Sequence, residues 1–447
     1  MHRAELLASR VPRYTSYPTA PHFTPAVNAD TCESWLRQLP ARMPLSLYVH
    51  IPFCDTLCWF CGCHTKVVNV YSPVASYLEL ILADLARVAA ITGSEHPVTH
   101  IHFGGGSPTL LKPEDFTAIA EQIRKSFPVA RDAEFAVEID PRGLSDEMII
   151  AMAKAGVNRA SIGVQDIDPV VQRAVNRIQP FEVTKAVIDK LRAVGIQNLN
   201  VDIMYGLPHQ TIAHVEKTVE AMVSLHPNRL AVFGYAHVPH MKKHMALIDE
   251  KVLPSTDERI AQFDHAQSAL IAAGYEPIGL DHFALPSDPM AIAARNGVLS
   301  RNFQGYTTDT APALIGIGAS AISSLPQGYL QNETDVPKYR EQIRAGKLPT
   351  ARGVALTTED KIRRAIIERL MCGLRVDLTE LARRLDFVRE HFSPEMSRLK
   401  ELQKLGFVKI NGWKISVPAD ERAAVRLVCA VFDEYLDPAA ARHALAV

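Results

Sequence analysis

Cys54, Cys58, Cys61 and Cys63 fall within ten residues of a 447-residue chain, directly after the apolar run Ser46-Leu-Tyr-Val-His-Ile51. Thiolates spaced four and then three residues apart, on a loop leaving a strand, can converge on three corners of an iron–sulfur cube without help from distant chain. Such a cube keeps one iron open to a small chelating molecule. Structural zinc is the competing chemistry, because Cys58-x-x-Cys61 is half of a zinc site and His64 is near, but no second Cys-x-x-Cys pair follows. Disulfides fit worse: residues 1–20 carry no signal-peptide pattern, and four of the seven cysteines share one loop. The expectation is a reduced, cytoplasmic protein in which Cys32, Cys372 and Cys429 fill core space.

Bulk composition narrows the partners. The chain is 47% apolar and 22% charged, ordinary for globular material. Forty-eight basic against 49 acidic residues leave no net field to attract nucleic acid or an anionic membrane. The stretch 310–332 is uncharged, yet Pro312, Gly316, Gly318 and Pro326 interrupt it, so it reads as buried loop or strand and not as a membrane span.

An α/β array must position the cysteines. Short β-rich runs at 47–51, 98–103, 134–139, 159–163, 199–205 and 229–235 alternate with amphipathic stretches at 76–90, 113–127, 146–155, 182–194 and 213–224. Six strands, each but the last followed by a helix, predict parallel pairing in an open sheet or a barrel, with the chemistry at the carboxyl ends of the strands. Those ends carry the cysteines, Gly104-Gly-Gly-Ser107, Glu138, Gln165, Asp202 and Ala236-His237. The glycines either let backbone approach a ligand and expose amides to a carboxylate, or form a tight strand-to-helix turn. Glu138, inside the apolar run Phe135-Ala-Val-Glu-Ile139, needs a polar site or an ionic partner. Asp202 needs the same, with an arginine salt bridge as the plain alternative. Arg177 is either a surface charge or a carboxylate clamp.

The C-x3-C-x2-C spacing is the signature of radical S-adenosylmethionine enzymes, and longer segments resemble one family among them. Tyr48-Val-His-Ile-Pro-Phe-Cys54, Cys58-Trp-Phe-Cys61-Gly-Cys63, Gly104-Gly-Gly-Ser-Pro-Thr109, Gly163-Val-Gln-Asp166 and Asp202-Ile-Met-Tyr-Gly-Leu-Pro208 are similar to the oxygen-independent coproporphyrinogen III oxidases, or coproporphyrinogen dehydrogenases. Arg13-Tyr-Thr-Ser-Tyr-Pro-Thr-Ala20, Asp281-His-Phe-Ala284, Arg301-Asn-Phe-Gln-Gly-Tyr-Thr-Thr308 and Gly318-Ala-Ser-Ala-Ile-Ser323 carry the resemblance towards both ends of the chain. Haem-chaperone-like and haem-degrading relatives share the three-cysteine motif but resemble this chain less at its amino end and at Cys63.

The resemblance implies a partial (β/α)6 barrel of the TIM type, with Cys54, Cys58 and Cys61 holding a [4Fe–4S] cluster and Cys63 outside the ligand set. It implies one S-adenosylmethionine at Tyr48, Gly105, Glu138, Ala236 and Ile322. A second is implied at Phe60, Gly106, Ser107, Gln165, Arg177 and Asp202, with Ser107 standing where the family often has threonine. The implied reaction is oxidative decarboxylation of the ring A and B propionates of coproporphyrinogen III to vinyl groups, giving protoporphyrinogen IX in haem biosynthesis. An electron from a flavodoxin- or ferredoxin-type donor would cleave S-adenosylmethionine to methionine and the 5′-deoxyadenosyl radical that takes a propionate hydrogen. The resemblance favours a monomer.

Gln304 and Tyr306 are substrate-side candidates, with ordinary loop hydrogen bonding as the alternative, and basic side chains must meet the propionates. Residues 1–40 read as an amino-terminal arm that closes over the site or packs on the barrel, and residues 41–350 as the catalytic domain. Residues 351–447 read as a mainly helical, winged-helix-like domain, from helices at 361–372, 378–385 and 394–405 and a hairpin at 407–410 and 413–417. Asp377, Glu380, Asp386 and Glu390 offset its arginines, so a lid over the substrate cavity is a better expectation than DNA binding. Besides the radical oxidase, a haem chaperone or haem-degrading protein and, more remotely, a zinc-binding scaffold stay open.

Overall fold

The computed structural model describes Leu6, Ser9 and residues 11–436. Among these residues twelve strands join one sheet. Its centre is six parallel strands in chain order: β1 (Leu45–Ile51), β2 (Val98–Gly105), β3 (Val129–Ile139), β4 (Arg159–Gln165), β5 (Asn198–Tyr205) and β6 (Arg229–Gly234). Helices Ser72–Thr92, Pro113–Ser126, Asp146–Lys154, Phe181–Ala193 and Ile212–Ser224 lie in the crossovers. Every residue of β1 is buried, as parallel strands covered on both faces require. The expected (β/α)6 array is present, with shifted ends. β3 begins at Val129 because Val98 pairs with it, and β4 runs past Gly163 to Gln165 through a bulge.

Two flanking additions were not legible as strands in the periodicity. Beyond β6 lie the antiparallel β7 (Glu276–Ile278) and β8 (His282–Ala284). On the other side of β1 lies a seventh parallel strand, β9 (Ala313–Ile317), followed by the antiparallel β10 (Ile322–Leu325), β11 (Gly328–Asn332) and β12 (Thr350–Ala355). β9, β10 and β11 fall within the uncharged stretch that was readable as loop or strand. A Cβ at Gly316 would sit 2.8 Å from Ile322 O, so the residue that blurs the β pattern is the one that lets the chain turn back on itself.

One apolar core runs beneath the sheet. A second joins Val11, Tyr14 and Tyr17 to side chains between Ile362 and Phe432. Tyr14 donates from its hydroxyl to Asp433 Oδ2 at 3.0 Å, so the amino-terminal arm packs on the carboxyl-terminal elements. Helices Thr358–Gly373, Leu378–Leu385 and Ser393–Lys404 and the hairpin Lys409–Asn411/Lys414–Ser416 stand near their expected positions, and Arg375–Asp377 adds a third strand. Among the described residues no helix is long and apolar enough to cross a membrane.

Candidate active site

The loop after β1 is tied down from several sides. Phe53–Cys54 pairs in parallel with Lys66–Val67. Asn176 Nδ2 donates to Leu57 O at 2.8 Å and Trp59 N to Val175 O at 2.9 Å. Lys242 Nζ and His244 Nε2 donate to Cys63 O and Cys61 O at 2.9 and 2.8 Å. Donors also meet the sulfur atoms: Thr65 Oγ1 reaches Cys54 Sγ at 3.2 Å, Arg142 Nη2 and Arg177 Nη1 both reach Cys58 Sγ at 3.4 Å, and Cys63 N reaches Cys61 Sγ at 3.4 Å. Burial pushes the Cys54 thiol up to about 11 against the Thr65 hydrogen bond, and the neighbouring Cys61 and Cys58 thiolates push the same way. Thiolates that repel one another on a loop supplied with donors fit an iron–sulfur cluster, whose cationic irons relieve that repulsion.

The glycines of β2 pack onto this loop. Gly105 has φ +113°, and a Cβ there would lie 2.4 Å from the His50 ring. Its N–H donates to Glu138 Oε2 at 3.0 Å, while Gly106 N and Ser107 N donate to Ile51 O and Phe53 O at 2.9 and 2.7 Å. The amides expected to face a ligand carboxylate therefore serve Glu138 and the backbone leaving β1. His102 Nε2 donates to Glu138 Oε1 at 3.0 Å. Burial raises the Glu138 pKa, but the hydrogen bonds from His102 and Gly105 outweigh it and hold the carboxyl below its ordinary value. His50 Nε2 donates to His64 O at 3.1 Å, which leaves Nδ1 to accept from Tyr48 OH at 3.0 Å. Tyr48 pairs with Gly316, against which Ile322 is packed, so Tyr48, Gly105, Glu138 and Ile322 gather around one end of β1 and β2.

Gln165, Arg177 and Asp202 meet at Gly163. Asp202 is its partner across the sheet, and Gln165 Nε2 and Arg177 Nη2 stand 3.1 and 3.2 Å from the place a Cβ would occupy. Gln165 has φ +73°, a strained geometry for a non-glycine residue at the bulged end of β4. Arg177 is buried, donating to Gly163 O at 2.7 Å and Asp140 Oδ2 at 3.2 Å, so it is no surface charge. Asp202 accepts from Asn200 Nδ2 at 2.8 Å and Ser161 Oγ at 3.2 Å in place of an arginine, and burial pushes its carboxyl up to about 6. Ser107 Oγ lies 3.2 Å from Thr109 Oγ1. Phe60 packs with Trp59 against Val171, Val175 and Tyr235. Sequence reasoning missed His102, Asp140, Arg142 and the Lys242–His244 contacts. The run Asp140-Pro-Arg142, just past Glu138 at the end of β3, was the available signal.

A cavity of about 300 Å³ opens between the strands, lined by Ser46, His102, Glu138 and Asp202 among others. A second, of about 430 Å³, lies beside it and carries Ala236 in its lining. Phe233, His282 and Gln304 line both. The Tyr306 hydroxyl accepts from Leu280 N at 2.9 Å and donates to Met371 O at 2.8 Å, so ordinary hydrogen bonding accounts for that group and only the ring edges the first cavity.

Residues 48–222 match the model of the Radical SAM superfamily. The chain is 49% identical to the oxygen-independent coproporphyrinogen III oxidase of Bradyrhizobium diazoefficiens, covering 100% of both, and 42% identical to that of Paracoccus denitrificans, covering 100% of this chain and 99% of the relative. The solved coproporphyrinogen III oxidase of Escherichia coli, described as a radical SAM enzyme, aligns with a TM-score of 0.91 at 37% identity, covering 95% of this chain and 98% of that one. Fold and site define a radical S-adenosylmethionine protein of α/β class. Within that class, the chain belongs to the oxygen-independent coproporphyrinogen III oxidase family.

Proposed function

We propose that the chain is an oxidoreductase that converts the ring A and B propionates of coproporphyrinogen III to vinyl groups without oxygen, giving protoporphyrinogen IX. The observation that carries this reading is continuity: the thiolate loop follows the carboxyl end of β1, the Glu138 and Gly163 groupings stand towards the same ends of β3 and β4, and the inter-strand cavity runs from Glu138 and Asp202 back along those strands to Ser46 and Arg159. Cys54, Cys58 and Cys61 hold the [4Fe–4S] cluster, one S-adenosylmethionine lies at Tyr48, Gly105, Glu138, Ala236 and Ile322, and a second at Phe60, Gly106, Ser107, Gln165, Arg177 and Asp202. Bound there, cluster and S-adenosylmethionine supply one-electron chemistry strong enough to take hydrogen from an unactivated propionate carbon.

The chain's own residues prepare the site. Arg142 and Arg177 aim donors at Cys58 Sγ and fix its position. Glu138, kept ionised by His102 and the Gly105 amide, accepts from a ribose hydroxyl or an amine. Gln304, on the wall between the cavities, is placed to touch substrate. The electron donor is of flavodoxin or ferredoxin type, and the protein acts as a cytoplasmic monomer. Residues 1–40, 41–350 and 351–447 divide as arm, catalytic domain and lid, with Val11, Tyr14 and Tyr17 of the arm packed into the core of the lid.

The test is anaerobic reconstitution with iron and sulfide, then incubation with S-adenosylmethionine, a low-potential reductant and coproporphyrinogen III. Vinyl product together with deoxyadenosine is the expected outcome. Deoxyadenosine without vinyl product, or stoichiometric haem binding in its place, would overturn the substrate assignment.

A further inference from the structure

Arg13, Arg259, Arg301 and Arg426 all line the 430 Å³ cavity, and among its lining residues Asp281 is the single acid. Asp281 is already engaged, accepting from His282 Nδ1 at 2.7 Å. The arginines crowd one another: burial, and then the charge of Arg13, bring Arg426 down to about 10. Arg301 is the informative member. Its guanidinium stacks 4.3 Å over the Tyr306 ring and Nη2 reaches Arg13 O only at 3.5 Å, while Nε and Nη1 are buried with no hydrogen-bond partner among the described residues. Buried donors left unused are costly unless an acceptor arrives.

We infer that this cavity binds carboxylate groups of the ligand, with Arg301 as the central donor and Arg13 at the mouth. The substrate's unreacted propionates are held there while Gln304 and His282, on the shared wall, face the space between the strands. The inference rests on the functional reading above and names the residues that recognise its substrate. Two sources of carboxylate fit the same chemistry, the tetrapyrrole propionates and the methionyl group of S-adenosylmethionine, because Ala236 lines this cavity too. The structure favours the propionates, since the two buried Arg301 donors without a hydrogen-bond partner among the described residues stand beside Gln304 and His282 on the wall shared with the inter-strand cavity.

The experiment titrates coproporphyrin III, its tetramethyl ester and S-adenosylmethionine separately onto the reconstituted full-length protein. Arg301→Gln is expected to weaken coproporphyrin III at least about tenfold, with Arg301→Lys recovering part of the loss. Arg13→Gln alters an exposed side chain that donates to Gly234 O at 3.0 Å, and is expected to weaken coproporphyrin III about threefold. Affinity for the ester and for S-adenosylmethionine should stay unchanged in each variant. Unchanged coproporphyrin III affinity in both glutamine variants would overturn the assignment, as would a selective loss of S-adenosylmethionine affinity. If the unaltered protein binds no coproporphyrin III, the functional reading itself fails, and this inference with it.

Discussion

Around Cys58 the protein surrounds sulfur with cations, Arg142 and Arg177 at 3.4 Å, and each of those also contacts Asp140. Around Arg301 it does the reverse, gathering four guanidinium groups against a single carboxylate that His282 already engages. In the first environment both arginines already share a carboxylate partner in Asp140; in the second, Arg301 keeps two buried donors without a hydrogen-bond partner among the described residues. Their construction differs as well. Positions 54–63 place the thiolates within one loop, whereas the arginines come from positions 13, 259, 301 and 426. A chain can pre-organise a cofactor with local ligands, but a large polyanion needs donors from all round a cavity.

Cys58→Ala should have the largest effect, with no cluster absorbance and no vinyl product, while coproporphyrin III binding stays in the range of the unaltered protein. Loss of both would show that the two regions form one cooperative unit. Next in size, Arg177→Met takes a buried partner from Asp140 and should cost about 3 kcal/mol in urea denaturation of the cluster-free chain. Arg301→Met, without ligand, should cost less, about 1 kcal/mol, because two of the buried donors removed make no hydrogen bond among the described residues while the stacking on Tyr306 is lost. Equal losses at the two arginines would break the contrast.

Asp202 gives a pH signature. Its folded-state pKa, raised by burial to about 6, lies above the unfolded carboxylate value, so the folded chain binds more protons between those values. Stability therefore falls as pH rises through that interval, and the full penalty applies above it. Asp202→Asn should flatten this fall by about 2 kcal/mol, measured by denaturation on both sides of the interval. Smallest of all, Cys63→Ala should leave iron content unchanged, since the Cys63 backbone N–H still donates to Cys61 Sγ. A loss of cluster there would make Cys63 a ligand.

Much of the site was readable because parallel buried strands are apolar runs ended by glycine or polar residues. β1 to β6 appeared in this way, along with Glu138, Gln165 and Asp202 at their ends. Asn200 as a partner of Asp202 was missed in favour of an arginine, although residues two apart on a strand share a face. β9 was not readable, because Gly316 and Gly318 serve close backbone approach and dilute the β pattern. Nor could the amides of Gly105, Gly106 and Ser107 be assigned, since the same glycines suit a ligand or a neighbouring loop. Tyr306 sits in a motif that pointed to substrate, yet its hydroxyl is held by Leu280 and Met371 from separate segments.

By itself the sequence determined the three-thiolate loop, the order of the parallel strands and the polar residues at their ends. These depend on spacing along the chain, where ligand geometry and strand period act over a few residues. Only the tertiary structure decided which donors reach Cys58, which groups use the glycine amides, and which four of forty-eight basic residues share one cavity. Electrostatic balance is a sum over everything nearby in space, and no local pattern records that sum.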